Sequence, residues 1–259
     1  MMYFRRLAVT NWARKVFFFF ALLAVWQGFV WIGVWPEFIF PSPLSVVQTL
    51  VHGFQNGTFV VAIVTSMQRI LIGFGISAVS GMLLGLALGR VKVLDETVGS
   101  VVLGLQALPS ICWLPLALLW FGLSETAILF VVVMGALLSI TLATEAGVKN
   151  TPPLYLRAAR NLGAHGWRLY ALVILPAALP AIITGMKLGW SFAWRSLMAG
   201  ELLYVSLGLG QLLMMGRDLN DMSQVVAVML MIIAIGLVVD RLVFAPVESR
   251  VRERWGLQG

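Results

Sequence analysis

Residues 154–180 read LYLRAARNLGAHGWRLYALVILPAALP, a basic, helix-forming stretch with a glycine break, set between two long apolar runs. A plain connection between neighbouring helices needs only about four to six residues. This one holds two amphipathic pieces split at Gly163, which predicts a structured element that docks a soluble partner. Thr151-Pro152-Pro153 forces a turn and lets a helix begin at Leu154. Leu156, Ala159 and Leu162 recur every three residues and form one apolar edge, while Arg157 and Arg160 share another. Ala158 and Ala159 keep the helix slim enough for a groove. Gly163 suits the left-handed position that ends a helix, with Ala164 just beyond it. A second amphipathic run starts at Trp167 and returns the chain to Pro176 and Pro180. The same periodicity fits a helix lying on lipid headgroups with its arginines at the phosphates.

The flanking runs belong to a membrane protein. Of 259 residues, 60% are hydrophobic and only 11% are charged, and the mean hydropathy is +0.95. A soluble domain carries roughly 25% charged residues, so this chain could not cover a water-facing surface. The net charge of +7 resides in short loops between apolar runs, where topology and lipid headgroups account for it better than nucleic acid does. Cys112, the one cysteine, lies in an apolar segment and reads as a small buried hydrophobe. It excludes an intrachain disulfide or a cysteine metal site. His52 and His165 are far apart in sequence, which argues against a histidine metal site.

About 20 apolar residues are needed to cross roughly 30 Å of hydrocarbon. Six segments qualify, at about 16–35, 70–89, 98–121, 127–147, 180–203 and 225–246. The first follows a cluster of basic residues, as a signal peptide does. However, its apolar run is too long and no small-x-small cleavage site follows, so a retained span is expected. With the N-terminus inside, Arg5, Arg6, Arg14, Lys15, Arg90, Lys92, Lys149, Arg157, Arg160, Arg168, Arg250, Arg252 and Arg254 are cytoplasmic. Only Arg217, and Arg69 as an anchor at the outer surface, oppose them. The excess places both termini inside. The expected division is a cytoplasmic segment 1–15, a six-helix domain 16–247 with a docking loop 148–176, and a tail 248–259. On the outer side, Ser42 caps an amphipathic helix over 44–54 with Pro43 in its first turn, and 208–223 reads as a polar, Gly-rich loop.

Charges inside spans cost roughly 2.5–3.5 kcal/mol each on insertion scales. In the fifth span Thr184, Lys187, Ser191 and Arg195 fall on one helical face, flanked by Trp190 and Trp194. Such a face suits a wet path for a small anion, and Glu201 is a further candidate on it. Two structural alternatives stand beside this: Lys187 snorkels to the inner interface, or Arg195 pairs with an acid such as Glu201, which needs a break near Gly200 or another span. Asp240-Arg241 reads as a structural pair. Gly81, Gly85 and Gly89 form a small-residue ridge for close helix packing, within one subunit or between two.

At this point the residues resemble a known family. Arg157-Ala-Ala-Arg-Asn-Leu-Gly-Ala164, followed by Ile174-Leu-Pro-Ala-Ala-Leu-Pro180, resembles the EAA loop of ABC importer permeases, above all the nitrate/sulfonate/taurine branch. Pro41-Ser-Pro43, Trp113-Leu-Pro-Leu116, Trp120-Phe-Gly122, Ala193-Trp194, Glu201-Leu-Leu203, Gly208-Leu-Gly210, Asp240 and Glu248-Ser-Arg-Val251 with Trp255 follow in the family's order. The resemblance implies an all-α, six-helix, type I importer permease of a bacterial inner membrane, with cytoplasmic coupling helices. It implies that Arg157, Ala158, Ala159, Arg160, Leu162, Gly163 and Ala164 dock a cytoplasmic ABC ATPase, which alone binds ATP and magnesium. A second, identical permease copy and a periplasmic or lipid-anchored solute-binding protein complete the implied assembly, with no nucleic acid. The family's first acidic position is Arg157 here, a departure that removes the acid side of any salt bridge to a basic ATPase residue at this point; an ATPase groove with an acidic rim is one remedy.

The residues themselves also weigh on function. No Gly-x-x-x-x-Gly-Lys-Ser/Thr phosphate loop is present, so the chain is not the motor. Neither histidine lies in a span and no His-Glu-x-x-His occurs, which argues against an intramembrane enzyme. An ion-gradient transporter or channel would explain the cations but not the broken basic loop.

Overall fold

The computed structural model describes residues 2–203 and 206–254, with side chains over 13–203 and 206–253. Trp255 and the remaining tail lie outside the described residues, as do the side chains of Arg5, Arg6 and Arg254. Among the described residues every regular element is helical. The chain divides into two compact units, Met1–Val61 with Leu212–Met231, and Ala62–Gln211 with Ile232–Gly259.

Helix α1 (Met2–Ile32) holds an apolar stretch, Ala13–Ile32, long enough to cross a bilayer. The amphipathic α2 (Pro43–Gln55) starts as the sequence predicts. The Ser42 hydroxyl accepts a hydrogen bond from the Ser45 amide at 3.2 Å, and Pro43 occupies the first turn. The Trp26 indole donates to the Pro41 carbonyl at 3.0 Å, fixing the turn between α1 and α2. Helix α3 (Thr58–Leu88) is 31 residues long, or about 46 Å at 1.5 Å per residue. It therefore begins well before the expected boundary at 70, because 58–69 is helix-forming and apolar too.

The expected third span is broken. Helices α4 (Lys92–Gln106) and α5 (Ser110–Phe121) meet at an angle of 105°. Pro109 lacks an amide proton and disfavours helical backbone in the residue before it, so the chain turns at Ala107–Leu108. Cys112 is consequently exposed in the first turn after the corner, not buried as its apolar neighbours suggested.

Helix α6 (Glu125–Lys149) forms the centre of the second unit, packed against α8 (Gly166–Leu203) on one side and α3 on another. Ile70, Ile128, Val132, Ile140, Trp190 and Leu197 make up its apolar core. The glycine ridge belongs to this packing. A Cβ on Gly85 would lie 2.5 Å from the Thr141 carbonyl oxygen and 2.6 Å from the Thr144 Cβ. Only a bare backbone allows α3 to approach α6 this closely, and the contact is within one chain. Between α6 and α8 stands the short α7 (Pro153–Asn161).

Helix α8 runs unbroken through Pro176 and Pro180, where the sequence suggested a start. A wider turn at Tyr170–Ile174, closed by the Leu175 amide on the Tyr170 carbonyl, precedes Pro176. The same device, Asp240–Phe244, precedes Pro246 in α10 (Met222–Glu253). Such π-turns relieve the clash of the proline ring with the preceding turn.

The expected loop 208–223 is largely helical, as α9 (Leu209–Asp218). Leu209 and Leu212 are buried, and this apolar stripe stabilises a helix that the glycines alone argued against. Asn220, at φ +56, ends it, and the Asp221 carboxylate accepts from the Gln224 amide to start α10.

Candidate functional site

The basic segment folds as a short helix with a hydrogen-bonded end. Helix α7 ends in a Schellman motif: the Gly163 amide donates to the Arg160 carbonyl at 3.0 Å and the Ala164 amide to that of Ala159 at 2.9 Å. Gly163 has φ +82, a left-handed conformation that is cheap only for glycine. Ala159 is buried, packing with Leu156 and Ala164 onto Val148, Leu169 and Ile174 of α6 and α8. Arg157, Ala158 and Arg160 are exposed. Leu162 departs from the expected apolar edge. It is the residue at which helical geometry ends, with ψ 10, and its side chain turns out to 87% exposure. Trp167 is likewise exposed, at 80%. Two large exposed apolar side chains, Leu162 and Trp167, thus follow the exposed Arg157 and Arg160 along this segment. Nearby, the Arg90 guanidinium lies 3.8 Å from the centre of the Tyr170 ring, and Lys149 is neutralised by Asp95 at 2.6 Å and Glu145 at 2.7 Å.

The polar stripe on α8 is split by its surroundings. Lys187, Ser191, Trp194 and Arg195 line one cavity of about 300 Å³ together with Trp190, Gly236, Asp240 and Phe244. Trp190 and Trp194 stack there at 18°. Thr184 lines a separate cavity of about 380 Å³ with Glu248 and Arg252. The hydroxyls of Thr184 and Ser191 both donate back to carbonyls one turn earlier, those of Pro180 and Lys187. Lys187 pairs with Asp240 at 2.8 Å and Glu248 at 3.7 Å. Asp240 is therefore the counter-charge of Lys187, not of Arg241 as the sequence suggested. Arg195 also faces a further cavity of about 430 Å³, walled by the corner between α4 and α5.

Glu201 stands apart from the stripe and does not meet Arg195. It is fully buried and accepts from Arg69 at 2.8 Å, from Ser66 at 2.8 Å and from the Gly210 amide at 2.9 Å. Arg69, expected as a surface anchor, is only 5% exposed. Its other side makes a two-bond fork with Glu125 at 2.6 and 2.7 Å, and it also donates to Ser206. Gly208 packs directly on the Glu201 carboxylate: a Cβ there would lie 2.6 Å from its carboxyl carbon. The network ties α3, α6, α8 and the 206–210 segment together. Sequence reasoning missed it because Arg69 and Glu201 are 132 residues apart.

Comparisons with known proteins agree with this architecture. A family model described as "Binding-protein-dependent transport system inner membrane component" matches residues 77–252. A putative ABC transporter permease of Methanocaldococcus jannaschii is 35% identical over 208 residues, 78% of each chain. The taurine transport system permease protein of Escherichia coli is 29% identical over 194 residues, 73% of this chain and 70% of the relative. Among solved structures, the inward-facing MetNI methionine ABC transporter shares the fold, with a TM-score of 0.57 at 19% identity over 74% of this chain and 95% of that one.

Proposed function

The chain belongs to the family of binding-protein-dependent transport inner membrane components, in the branch that includes taurine, aliphatic sulfonate and nitrate permeases, and on that premise we propose that it forms the membrane path for a small anion and is driven through α7. It is a multi-pass, non-catalytic transport subunit. In the proposed assembly two copies of this chain pair, two cytoplasmic ATPase subunits bind ATP and magnesium, and a solute-binding protein delivers the ligand from outside. Both termini and α7 face the cytoplasm.

The observation that carries the reading is the Gly163-capped helix with Arg157, Ala158, Arg160 and Leu162 exposed on a buried Ala159 footing. Rigidity matters here, because force from an ATPase reaches the spans only through an element that does not bend. Ala158 leaves room for a groove wall, and the arginines suit an acidic rim. Residues Thr184, Lys187, Ser191, Trp194 and Arg195 are proposed to line the path, on two grounds: they share one face of α8, and cavities adjoin that face. Glu201 supports the path indirectly, by holding the 206–210 segment.

Vesicles reconstituted with the chain, its ATPase and its binding protein test the proposal. Uptake of labelled taurine or nitrate should require all three components and ATP. Uptake driven by an ion gradient without the ATPase would replace this reading with a secondary transporter.

A further inference from the structure

We propose that the corner of the broken span is an anion-binding site of the permease itself, with Arg195 as its cation, Gln106 and Ser110 as its neutral donors, and a monoanion the size of a sulfonate or nitrate as its ligand. The proposal rests on the permease reading and goes further, separating two cations that the sequence placed on one stripe.

The two have different electrical surroundings. Lys187 is compensated by Asp240 and Glu248. Among the described residues Arg195 has no carboxylate within ion-pair distance, and its recorded contact is the Phe192 ring at 5.6 Å. The 430 Å³ cavity that Arg195 faces has no acidic residue in its wall. An exposed, uncompensated guanidinium in a span is costly against lipid, so it requires water or an anion opposite it.

The backbone of that wall points the same way. The chain bends by 105° between Gln106 and Ser110, midway through an otherwise apolar span. Non-helical backbone at membrane depth is tolerated only where it is buried in protein or lines a water-filled cavity. Gln106 is oriented by donating to the Ser139 hydroxyl at 3.0 Å, which leaves its second N–H and its carbonyl for other partners. Ser110 begins the first turn past the corner. Most of the remaining wall is apolar, with Trp113, Met134, Leu138 and Phe192. Low polarity strengthens the attraction of one guanidinium for an anion, and the planar fork of arginine matches the paired oxygens of a sulfonate or nitrate.

The test uses the full chain in permeabilised membrane vesicles, with Cys112→Ser to remove the native thiol and Ala107→Cys, in the same cavity wall, as reporter. The probes are the anionic sulfonatoethyl and the cationic trimethylammonioethyl methanethiosulfonates. The anionic-to-cationic rate ratio should fall about tenfold on Arg195→Gln, the scale of electrostatic focusing in a cleft. The charge-neutral pair Lys187→Gln/Asp240→Asn should leave it nearly unchanged. Methanesulfonate should slow labelling by an uncharged thiosulfonate, and that protection should vanish in Arg195→Gln. Should that variant not accumulate, Arg195→Lys keeps the rate ratio and weakens the protection. A ratio indifferent to Arg195, absent protection, equal protection by Arg195→Lys, or an Ala107→Cys thiol inert to both probes each overturns the site. Those results with ATP-driven uptake intact would remove the site and leave the permease. Lost ATP dependence with the ratio intact would do the reverse.

Discussion

Single residues in this chain differ in consequence according to what encloses them. Arg69 satisfies a fully buried Glu201 and a half-exposed Glu125 at once. Arg69→Met leaves Glu201 in the interior without a counter-charge, and a loss of about 3–5 kcal/mol is expected. Thermal unfolding in detergent would register it as a clear drop in midpoint. Glu125→Gln should cost no more than about 1 kcal/mol, because that carboxylate keeps much of its hydration; equal drops for the two would refute the asymmetry. Glycines divide the same way. Gly85→Leu should push α3 off α6 and prevent recovery of folded chain, whereas Gly75, with nothing within 4 Å of a built Cβ, should accept alanine with a gain of about 0.5–1 kcal/mol. The spacing of Gly81, Gly85 and Gly89 was legible in the sequence, but its partner helix was not. Likewise an acid in the last span was visible, yet nothing local announced that Asp240 serves Lys187.

At the level of elements, α7 was the most legible part of the chain. Its break at Gly163 and the apolar edge through Leu156 and Ala159 follow from local chemistry, which acts within a few residues. Its start lies at Pro153, one residue before the expected Leu154, and Ala159 is buried against this chain's own helices. Leu162 was misplaced on the apolar edge because helical periodicity was extended one residue past the last residue of the helix, Asn161. Two variants separate shape from fold. Gly163→Val forces a branched side chain into φ +82 and should unravel the Schellman motif. Ala158→Trp leaves the helix intact and adds bulk to its open edge. Both should weaken ATPase association at least about tenfold, or about 1.4 kcal/mol, with membrane insertion unchanged. Co-purification of a tagged ATPase reads the result, and normal recovery with both variants would sink the docking role. The corner between α4 and α5 was not legible, because one proline among leucines is compatible with a kinked span as well as with a sharp turn. The helical 208–223 region was missed for a related reason: glycine content weighed more than a burial that depends on distant helices.

For the molecule as a whole, composition decided the class, and the distribution of cations decided the orientation now proposed. Large apolar side chains remain exposed along α1, α3 and α10, Phe17 at 74% and Leu242 at 71% among them. Lipid or a second copy must cover them. The orientation has a direct check. In right-side-out vesicles a membrane-impermeant maleimide should label a His52→Cys variant at once, and a Leu162→Cys variant only after permeabilisation, both in the Cys112→Ser background. The opposite order would invert the assembly. How much of each helix meets lipid was not readable from hydropathy, since residues facing lipid and residues facing another helix are equally apolar.

The chain's lone sulfhydryl, at the bend between α4 and α5, gives spectroscopists a built-in address. A nitroxide or an environment-sensitive dye attached there would sample the polarity of that elbow in unaltered protein. Its signal in the presence of oxygen, which concentrates in hydrocarbon, against that with a hydrophilic nickel chelate would say which medium the elbow meets, and how that changes as the transporter cycles.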